Sequence, residues 1–207
     1  MDRIKVTAHL ISPIVTGGGY MTLDGLLAAL LFDILQDVEA AHAAIPIRQT
    51  DGLHHASAAI MESSRDTISF IAVLRPGHSI APDLILKNRH GRLHHKFDTS
   101  LTNVMNSYTQ LTAPTVTWYA EGDADHIHRL VSPVLFIGKR RSSGFGRVSH
   151  WQIEPDELDG IEGPFGEPLR PVPIFMFKGD TSHPVVDAAW RPAYWNPVHR
   201  TACYAPV

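Results

Sequence analysis

The chain has 207 residues, enough for one well-packed domain or for one domain with a large insertion. Its 44% hydrophobic and 19% charged residues are typical of soluble globular proteins, and its longest apolar stretch, residues 26–34, falls short of the roughly 20 residues that a bilayer span needs. A formal net charge of −3 excludes a protein that coats nucleic acid with its whole surface, so any nucleic-acid site must be local.

The first residues and the cysteine content predict a cytoplasmic protein without a membrane partner. Residues 1–6 alternate charged and apolar side chains, whereas a signal peptide has a basic start followed by an apolar run. Cys203 is the single cysteine, which excludes an intramolecular disulfide and a Cys-rich zinc site and suits a reducing compartment. We expect no metal and no other cofactor.

The N-terminal segment predicts a strand followed by a helix. Residues 3–12 alternate apolar and polar side chains, the pattern of a half-buried strand. After a glycine-rich turn, leucines recur at helical spacing from Leu26, which predicts a buried helix that ends near Ala44, before Pro46. Asp24 stands at the start of this pattern, where we expect it to cap the helix.

The middle of the chain predicts strands around an insertion. Residues 67–74 alternate as a strand, with residues 56–62 as its expected hairpin partner. A polar and partly basic stretch follows that is ill suited to a core, and we interpret it as a hairpin inserted at about 75–112. Residues 115–121 then have the β-branched and aromatic content of a strand.

The C-terminal part predicts a short helix, a strand and an extended tail. Asp123 is the expected N-cap of a helix with Ile127 and Val131 on its apolar stripe, and residues 147–153 alternate as a final strand. The tail, residues 156–207, is rich in proline and is therefore expected to be extended and to pack on the domain or on a partner.

The predicted elements follow the order β, α, β, β, β, α, β, with the insertion between the middle strands. This order indicates an α+β fold that approximates a ferredoxin-like β-α-β-β-α-β unit. We therefore expect one domain over residues 1–155, carrying the insertion, and the extended tail over residues 156–207.

One segment combines features that suit a phosphate backbone. It holds adjacent cations, two serines, and glycines around one aromatic residue, and it has no acidic residue. Glycines let the main chain approach a ligand closely, serines donate hydrogen bonds, arginines bind phosphate in a two-point manner, and phenylalanine can support a stacked base. The candidate RNA-binding residues are Gly138, Lys139, Arg140, Arg141, Ser142, Ser143, Gly144, Phe145, Gly146 and Arg147. A solvated basic turn is the alternative interpretation of the same residues.

A glycine-rich loop between the last helix and the last strand of a ferredoxin-like fold resembles the RAMP superfamily of CRISPR proteins. Three further segments make the chain similar to the type IV subunit that corresponds to the handle-capping protein of type I effector complexes. These segments are residues 8–15 with 23–28, residues 116–123, and residues 190–195.

The resemblance implies a ferredoxin-like (RRM-like) RAMP domain with a β-hairpin thumb and a role in antiviral defence. It implies a non-catalytic subunit of a type IV ribonucleoprotein complex that grips the repeat-derived 5′ handle of the crRNA and caps the backbone filament. The implied partners are the crRNA handle, the backbone and large subunits, and target DNA near the PAM. The insertion would be the thumb, with candidate RNA contacts at Lys87, Arg89, Arg92 and Lys96.

Some RAMP proteins instead cut precursor CRISPR RNA without a metal, using a His or Tyr base and a Lys or Arg that stabilises the developing charge. The candidates for such a site are His9, Tyr20, His54, His55 and Lys139. The sequence does not show whether these residues lie close together in the fold, and a histidine is more often a packing or surface residue. We therefore expect no enzyme activity, with a precursor-processing endoribonuclease as the alternative function and a structural adaptor that contacts only proteins as a third.

Overall fold

The computed structural model describes residues 1–72 and 104–206. These residues fall into two compact units, a main unit of residues 1–64 and 111–206 and a second unit within residues 65–110. The strands are β1 (Asp2–Leu10), β2 (Ile14–Val15), β3 (Gln49–Thr50), β4 (Leu53–His54), β5 (Ser64–Ala72), β6 (Val104–Thr112), β7 (Thr115–Gly122), β8 (Val148–Pro155), β9 (Val172–Pro173), β10 (Val185–Ala189) and β11 (Arg200–Tyr204). The α-helices are α1 (Leu23–Leu35), α2 (Val38–Ala43) and α3 (Ala124–Val131).

The main unit is built on an antiparallel sheet in which β1 lies between β7 and β8. Alternate side chains of β1, those of Ile4, Val6 and Ala8, are buried on one face, as the period of two requires. Trp118 of β7 is fully buried on the same face and donates its indole N–H to the carbonyl oxygen of Met21 at 2.9 Å. The opposite face of β1 carries Lys5 and His9. We call this second face the polar face of the sheet.

Two helices cover the apolar face, because α1 contacts β7 and α3 contacts β8. The predicted single helix to Ala44 is wrong: α1 ends at Gln36, which adopts a left-handed conformation, and Asp37 caps the separate helix α2. The predicted cap of α1 is also wrong. Thr22 is the N-cap and accepts the N–H of Gly25, whereas Asp24 is the second residue of the helix and is fully buried. Asp123 caps α3, as predicted.

The outer edge of β7 pairs with an irregular segment, residues 56–60, through the bridges Ala56 to Ala120 and Ile60 to Thr117. The prediction that residues 56–62 pair with the strand at 67–74 is therefore wrong. That strand, β5, lies beside β6 in another sheet. Backbone hydrogen bonds join Ser57 to Tyr119 and Ile60 to Thr117 of β7. They satisfy backbone N–H and C=O groups that an unpaired edge strand would expose.

The tail begins at the end of β8 and crosses the end of the sheet. The N–H of Asp156 donates to the carbonyl oxygen of Arg3, Asp159 lies 3.3 Å from His55, and Ala58 donates its N–H to Leu169. Beyond this crossing, β9, β10 and β11 form a second antiparallel sheet with β11 in the centre. Leu53, Val172 and Phe177 form a small separate core beneath it.

The second unit contains β5 and most of β6, which are neighbouring strands. The side chain of Gln110 lies 3.5 Å from the carboxylate of Asp66 across the pair. Most of the predicted insertion falls on residues 73–103. The candidate thumb contacts Lys87, Arg89, Arg92 and Lys96 therefore lie outside the described residues.

The architecture is mixed α/β with several small antiparallel sheets and few helices, which confirms the predicted class. The order of β7, β1 and β8, with α3 between β7 and β8, is compatible with a ferredoxin-like unit. Among the described residues, no helix combines the length and apolar character that a membrane span requires.

Candidate nucleic-acid interface

Residues 138–147, here called the basic loop, connect the end of the α3 segment to β8 and turn sharply. Gly138, Arg140, Gly144 and Gly146 all have positive φ angles, between 59° and 87°. A short 3-10 turn over Arg141–Ser143 lies between them. The glycines adopt these angles without the steric penalty that a Cβ would bring, which explains why the turn contains three of them.

The basic loop is fixed to the chain that follows β1. Lys139 donates its N–H to the carbonyl oxygen of Val15 at 2.7 Å, and Gly146 donates its N–H to Pro13 at 2.8 Å. The hydroxyl of Ser12 donates to the carbonyl oxygen of Gly144 and accepts the N–H of Arg147, both at 2.8 Å. A bridge between Val15 and Lys139 completes the attachment. The loop is thus held at both ends and is presented as a preformed surface.

The cations of the basic loop point into solvent. Lys139, Arg140, Arg141 and Arg147 are exposed, as are Ser142 and Ser143, while Phe145 is half-buried. Lys139, Arg141 and Arg147 form no ion pair with any residue that the structure describes. Their charge is therefore not neutralised locally, although the whole protein carries a net charge of −3.

Two glycines of the basic loop serve different purposes. A Cβ on Gly144 would meet nothing within 4 Å, so the space beside its Cα is open, while its N–H donates to Arg141 and its carbonyl oxygen accepts from Ser12. A Cβ on Gly146 would overlap the carbonyl oxygen of Ile137, and the N–H of Gly146 is used by Pro13. Gly144 thus leaves open space beside the exposed cations, whereas Gly146 closes the loop.

A histidine pair lies on the polar face beside the basic loop. The rings of His9 and His150 stack with centroids 4.0 Å apart and an angle of 11° between their planes. His9 Nε2 lies 3.0 Å from Gln152 Oε1, and the Ser149 hydroxyl lies 3.0 Å from His150 Nδ1. The chain joins this pair to the loop, because Ile11 donates its N–H to the carbonyl oxygen of Arg147. The alternating pattern of β8 could have indicated His150 as a candidate, but His150 was not among the residues that the sequence suggested.

Of the other candidate catalytic residues, Lys139 belongs to the basic loop beside the histidine pair, whereas His54 and His55 lie away from His9. His54 and His55 are buried, and His55 lies within 4.0 Å of Glu121, which pairs with Arg3 at the other end of β1. Six residues of strand separate Arg3 from His9, roughly 20 Å. Tyr20 is exposed in the turn before α1. The five residues proposed for a cleavage site are thus distributed over the molecule.

A buried charged cluster joins α1 to the tail, and it explains the position of His54. Arg170 and Asp24 are both fully buried, with Arg170 Nη2 3.1 Å from Asp24 Oδ2. The hydroxyl of Tyr194 donates to Asp24 at 2.8 Å, and His54 Nδ1 lies 3.4 Å from the same carboxylate. Arg170 also donates to the carbonyl oxygens of His54 and Ala56. The cluster holds α1, residues 54–56 and the tail together, while Arg170 Nε and His54 Nδ1 have no hydrogen-bond partner within the described residues.

The electrostatics of this cluster favour an ionised pair. Burial alone raises the pKa of Asp24, but the charge of Arg170 and the proximity of His54 outweigh it, and the pKa lies well below its usual range. Burial likewise raises the pKa of Tyr194, which keeps its hydroxyl protonated as a donor. Nothing in the sequence indicated that residues 24 and 170 would meet.

No group of three or more His, Cys, Asp or Glu side chains at metal-binding distances occurs in residues 1–72 and 104–206. The basic loop and the histidine pair lie side by side on the described surface. Such a surface binds anions through exposed donors and positive charge.

Comparison with known proteins identifies a family for the chain. Residues 83–206, more than half of the chain, match the model of the CRISPR type IV associated protein Csf3, and the match includes the basic loop, β8 and the whole described tail. No curated protein is significantly similar to the chain. The chain therefore belongs to the Csf3 family and is a type IV CRISPR-associated, RAMP-like subunit.

Proposed function

We propose that the protein is a non-catalytic guide-RNA-binding subunit of a type IV CRISPR effector complex and that it grips the repeat-derived 5′ handle of the crRNA. The observation that carries this proposal is the basic loop: its cations are exposed, and the loop is fixed in place by residues 12–15. A preformed cationic loop binds RNA at a smaller entropic cost than a mobile one.

In this proposal the basic loop acts through the RNA backbone. Arg141 and Arg147 bind phosphate oxygens in two-point fashion, Ser142 and Ser143 donate hydrogen bonds, and the open space beside Gly144 allows close approach. The sheet and helices of the main unit form the ferredoxin-like RAMP domain that positions the loop. The thumb cations Lys87, Arg89, Arg92 and Lys96 add contacts to the same RNA.

The family supports a place in a ribonucleoprotein complex. We propose that the protein caps the backbone filament, contacts the large subunit, and reaches target DNA near the PAM. In this role it acts in the cytoplasm with no cofactor of its own.

The test is a titration with repeat-derived RNA over a range of salt concentrations. The variant Lys139→Gln, Arg140→Gln, Arg141→Gln should bind more weakly, and its salt slope should fall by about 2, since each phosphate contact on a single strand contributes roughly 0.7. The control is Arg129→Gln with Arg200→Gln, which removes two exposed cations, one on α3 and one on β11 that is paired with Asp187. Unchanged affinity and slope in the loop variant, or an equal loss in the control, would remove the loop from the interface.

One observation favours a second function, a metal-independent endoribonuclease for precursor CRISPR RNA. The stacked pair of His9 and His150 is on the polar face next to Arg147, where a general acid and base would act on RNA held by the basic loop. Incubating precursor RNA with the purified protein in EDTA distinguishes the two functions. Cleavage that is lost in both His9→Ala and His150→Ala would establish the endoribonuclease, and intact RNA supports the non-catalytic role.

A further inference from the structure

The tail and the β3–β4 hairpin enclose a second cationic site, far from the basic loop. A cleft of about 800 Å³ opens between them, lined among others by Arg48, His55, Phe175, Lys178, Trp190 and Arg191. Asp51 is the acidic residue in its lining, and Arg48 is already paired with Glu121 at 2.9 Å. Lys178 is exposed and forms no ion pair with the described residues. The cleft is positive on a protein that is acidic as a whole.

Arg191 is the residue that most clearly lacks a partner. Its guanidinium lies over the ring of Trp190, 4.9 Å from the ring centroid. Its Nε is buried and has no hydrogen-bond acceptor in the part of the chain that the structure describes, and no carboxylate there pairs with it. Arg191 also lines a neighbouring polar cavity of about 320 Å³. A buried Nε without an acceptor is costly, and an anionic ligand in the cleft would supply one.

The backbone around Arg191 keeps it in this position. Gly52, with a φ of 84° at the tip of the β3–β4 hairpin, lies so close to Arg191 and Trp190 that a Cβ would approach Arg191 Nη1 to 3.1 Å. The guanidinium is therefore held between the hairpin and the indole, and it is pre-organised for recognition.

An exposed aromatic ring stands at the same cleft. Phe175 follows β9 in a turn and is 74% exposed, although phenylalanine is among the residues that folding usually buries. Exposed rings beside arginine and lysine are the elements on which unpaired bases stack while cations hold the phosphates. An acidic peptide would use the cations alone and would leave the ring of Phe175 without a role.

We propose that this cleft binds a nucleotide of single-stranded RNA, with its base stacked on Phe175 and its phosphate held by Arg191 and Lys178. The inference rests on the proposed function, because it assigns a second contact to the same guide RNA. The pairing of Arg48 with Glu121 places the cleft near Arg3, at the opposite end of β1 from Ile11 and the basic loop. Eight residues of strand separate these ends, about 25 Å, so the RNA would extend along the sheet.

The experiment compares matched pairs of variants in titrations with labelled, repeat-derived single-stranded RNA. Phe175→Ala removes the stacking ring, and Phe165→Ala removes a ring in the tail that is 89% exposed and outside the cleft. We expect Phe175→Ala to weaken binding about five- to a hundredfold and Phe165→Ala to leave it unchanged, because one stacked base contributes about 1–3 kcal/mol. Arg191→Gln should lower the salt slope by about 0.7, whereas Arg200→Gln should not.

The outcomes separate this inference from the proposed function. Failure of the wild-type protein to bind the RNA overturns both. Loss of binding in the basic-loop variant together with wild-type affinity in Phe175→Ala and Arg191→Gln overturns the cleft alone. A loss in Arg191→Gln with none in Phe175→Ala means that the cleft holds an anion without a base, which also overturns the nucleotide assignment. Because Phe175 is exposed, Phe175→Ala should fold normally. If Arg191→Gln does not fold, the RNA affinity of Phe175→Ala alone tests the cleft.

Discussion

At the scale of single residues, the most consequential interaction is the buried pair of Asp24 and Arg170. Two charges removed from water are tolerated when they are paired and hydrogen-bonded, and here the Tyr194 hydroxyl donates to Asp24 while His54 Nδ1 lies 3.4 Å from the same carboxylate. The two Nη atoms of Arg170 donate to the carbonyl oxygens of His54, Ala56 and Trp190, while its Nε has no partner among the described residues. Arg170 of the tail thus bonds to three other segments: α1, residues 54–56, and Trp190 further along the tail.

Asp24→Ala should strongly destabilise the protein, by about 3–5 kcal/mol, because it leaves the charge of Arg170 buried without its partner. Urea unfolding followed by circular dichroism measures this loss. The control is Asp33→Ala on the exposed side of the same helix, which should change the free energy of unfolding by less than about 0.5 kcal/mol. Similar stabilities for the two variants would show that the pair contributes little.

Asp159 gives the stability of the protein a defined dependence on pH. Burial raises the pKa of Asp159, but the hydrogen bonds from His55, Ile161 and Glu162 lower it to about 2. A carboxyl whose pKa is lower in the folded state contributes stability above its unfolded pKa, near 3.9, and this contribution is lost as pH falls toward about 2.

Asp159→Asn should therefore cost about 1 kcal/mol at neutral pH, after allowance for the solvent that screens this partly exposed group, and almost nothing near pH 2. Melting temperatures of the variant and the wild type between about pH 7 and about pH 2 measure the convergence. A constant difference across this range would mean that the charge of Asp159 is not responsible.

Residue-scale features divide sharply into those that sequence predicts and those that it does not. The cap at Asp123 was predictable, because a cap bonds the backbone three residues away. Asp24 was assigned the same role and instead binds Arg170, 146 positions later. A local rule cannot detect a partner that only the folded tail supplies.

At the scale of elements, the basic loop shows how local chemistry and tertiary contacts combine. Its glycines, cations and place between α3 and β8 were all predictable from the sequence. Its attachment to Ser12, Pro13 and Val15 was not, because these contacts join segments more than 120 residues apart. The break between α1 and α2 was missed for a related reason: Gln36 is not a residue type that predicts a left-handed turn.

Gly146→Ala should destabilise the protein by about 2 kcal/mol or more, because the new Cβ meets the carbonyl oxygen of Ile137 and the φ of 68° is unfavourable for alanine. Gly144→Ala has open space around it and should cost only about 1 kcal/mol of backbone strain. Thermal melts of the two variants test this order.

The same pair separates folding from binding. In a folded Gly144→Ala variant, reduced affinity for repeat-derived RNA at unchanged charge would mean that the main chain at Gly144 contacts the phosphate backbone. Wild-type affinity would mean that the basic loop acts through its charges alone, and equal melting temperatures for Gly144→Ala and Gly146→Ala would contradict the structural distinction between them.

At the scale of the whole molecule, the described chain combines a net acidic composition with two local cationic surfaces. Composition alone predicted that a nucleic-acid site would be local, and the family match is consistent with a role in a CRISPR complex. The path of the tail was not predictable in detail. Its prolines indicate an extended chain, but only the fold shows that it crosses the sheet and contributes Arg170 to the core.

The two compact units lead to a prediction about what the second unit contributes. Asp66 and Gln110 face each other across β5 and β6, at the points where the chain leaves and re-enters the main unit. A two-residue turn spans such a distance between neighbouring strands. Replacing residues 67–109 by Gly-Gly should therefore leave the main unit folded, with a melting temperature close to that of the wild type.

The excised protein should bind repeat-derived RNA more weakly, because it lacks the candidate thumb contacts Lys87, Arg89, Arg92 and Lys96. The matched variant replaces these four residues by glutamine in the full chain, and its salt slope should fall by up to about 3, since each lost phosphate contact removes roughly 0.7.

If excision weakens binding no further than the four substitutions do, the second unit acts through these cations. If the excised chain binds like the wild type, the thumb makes no contact with the RNA, and the basic loop with the cleft around Arg191 accounts for the affinity. An excised chain that fails to fold would show that the main unit depends on residues 67–109 for its stability, contrary to the division into two compact units.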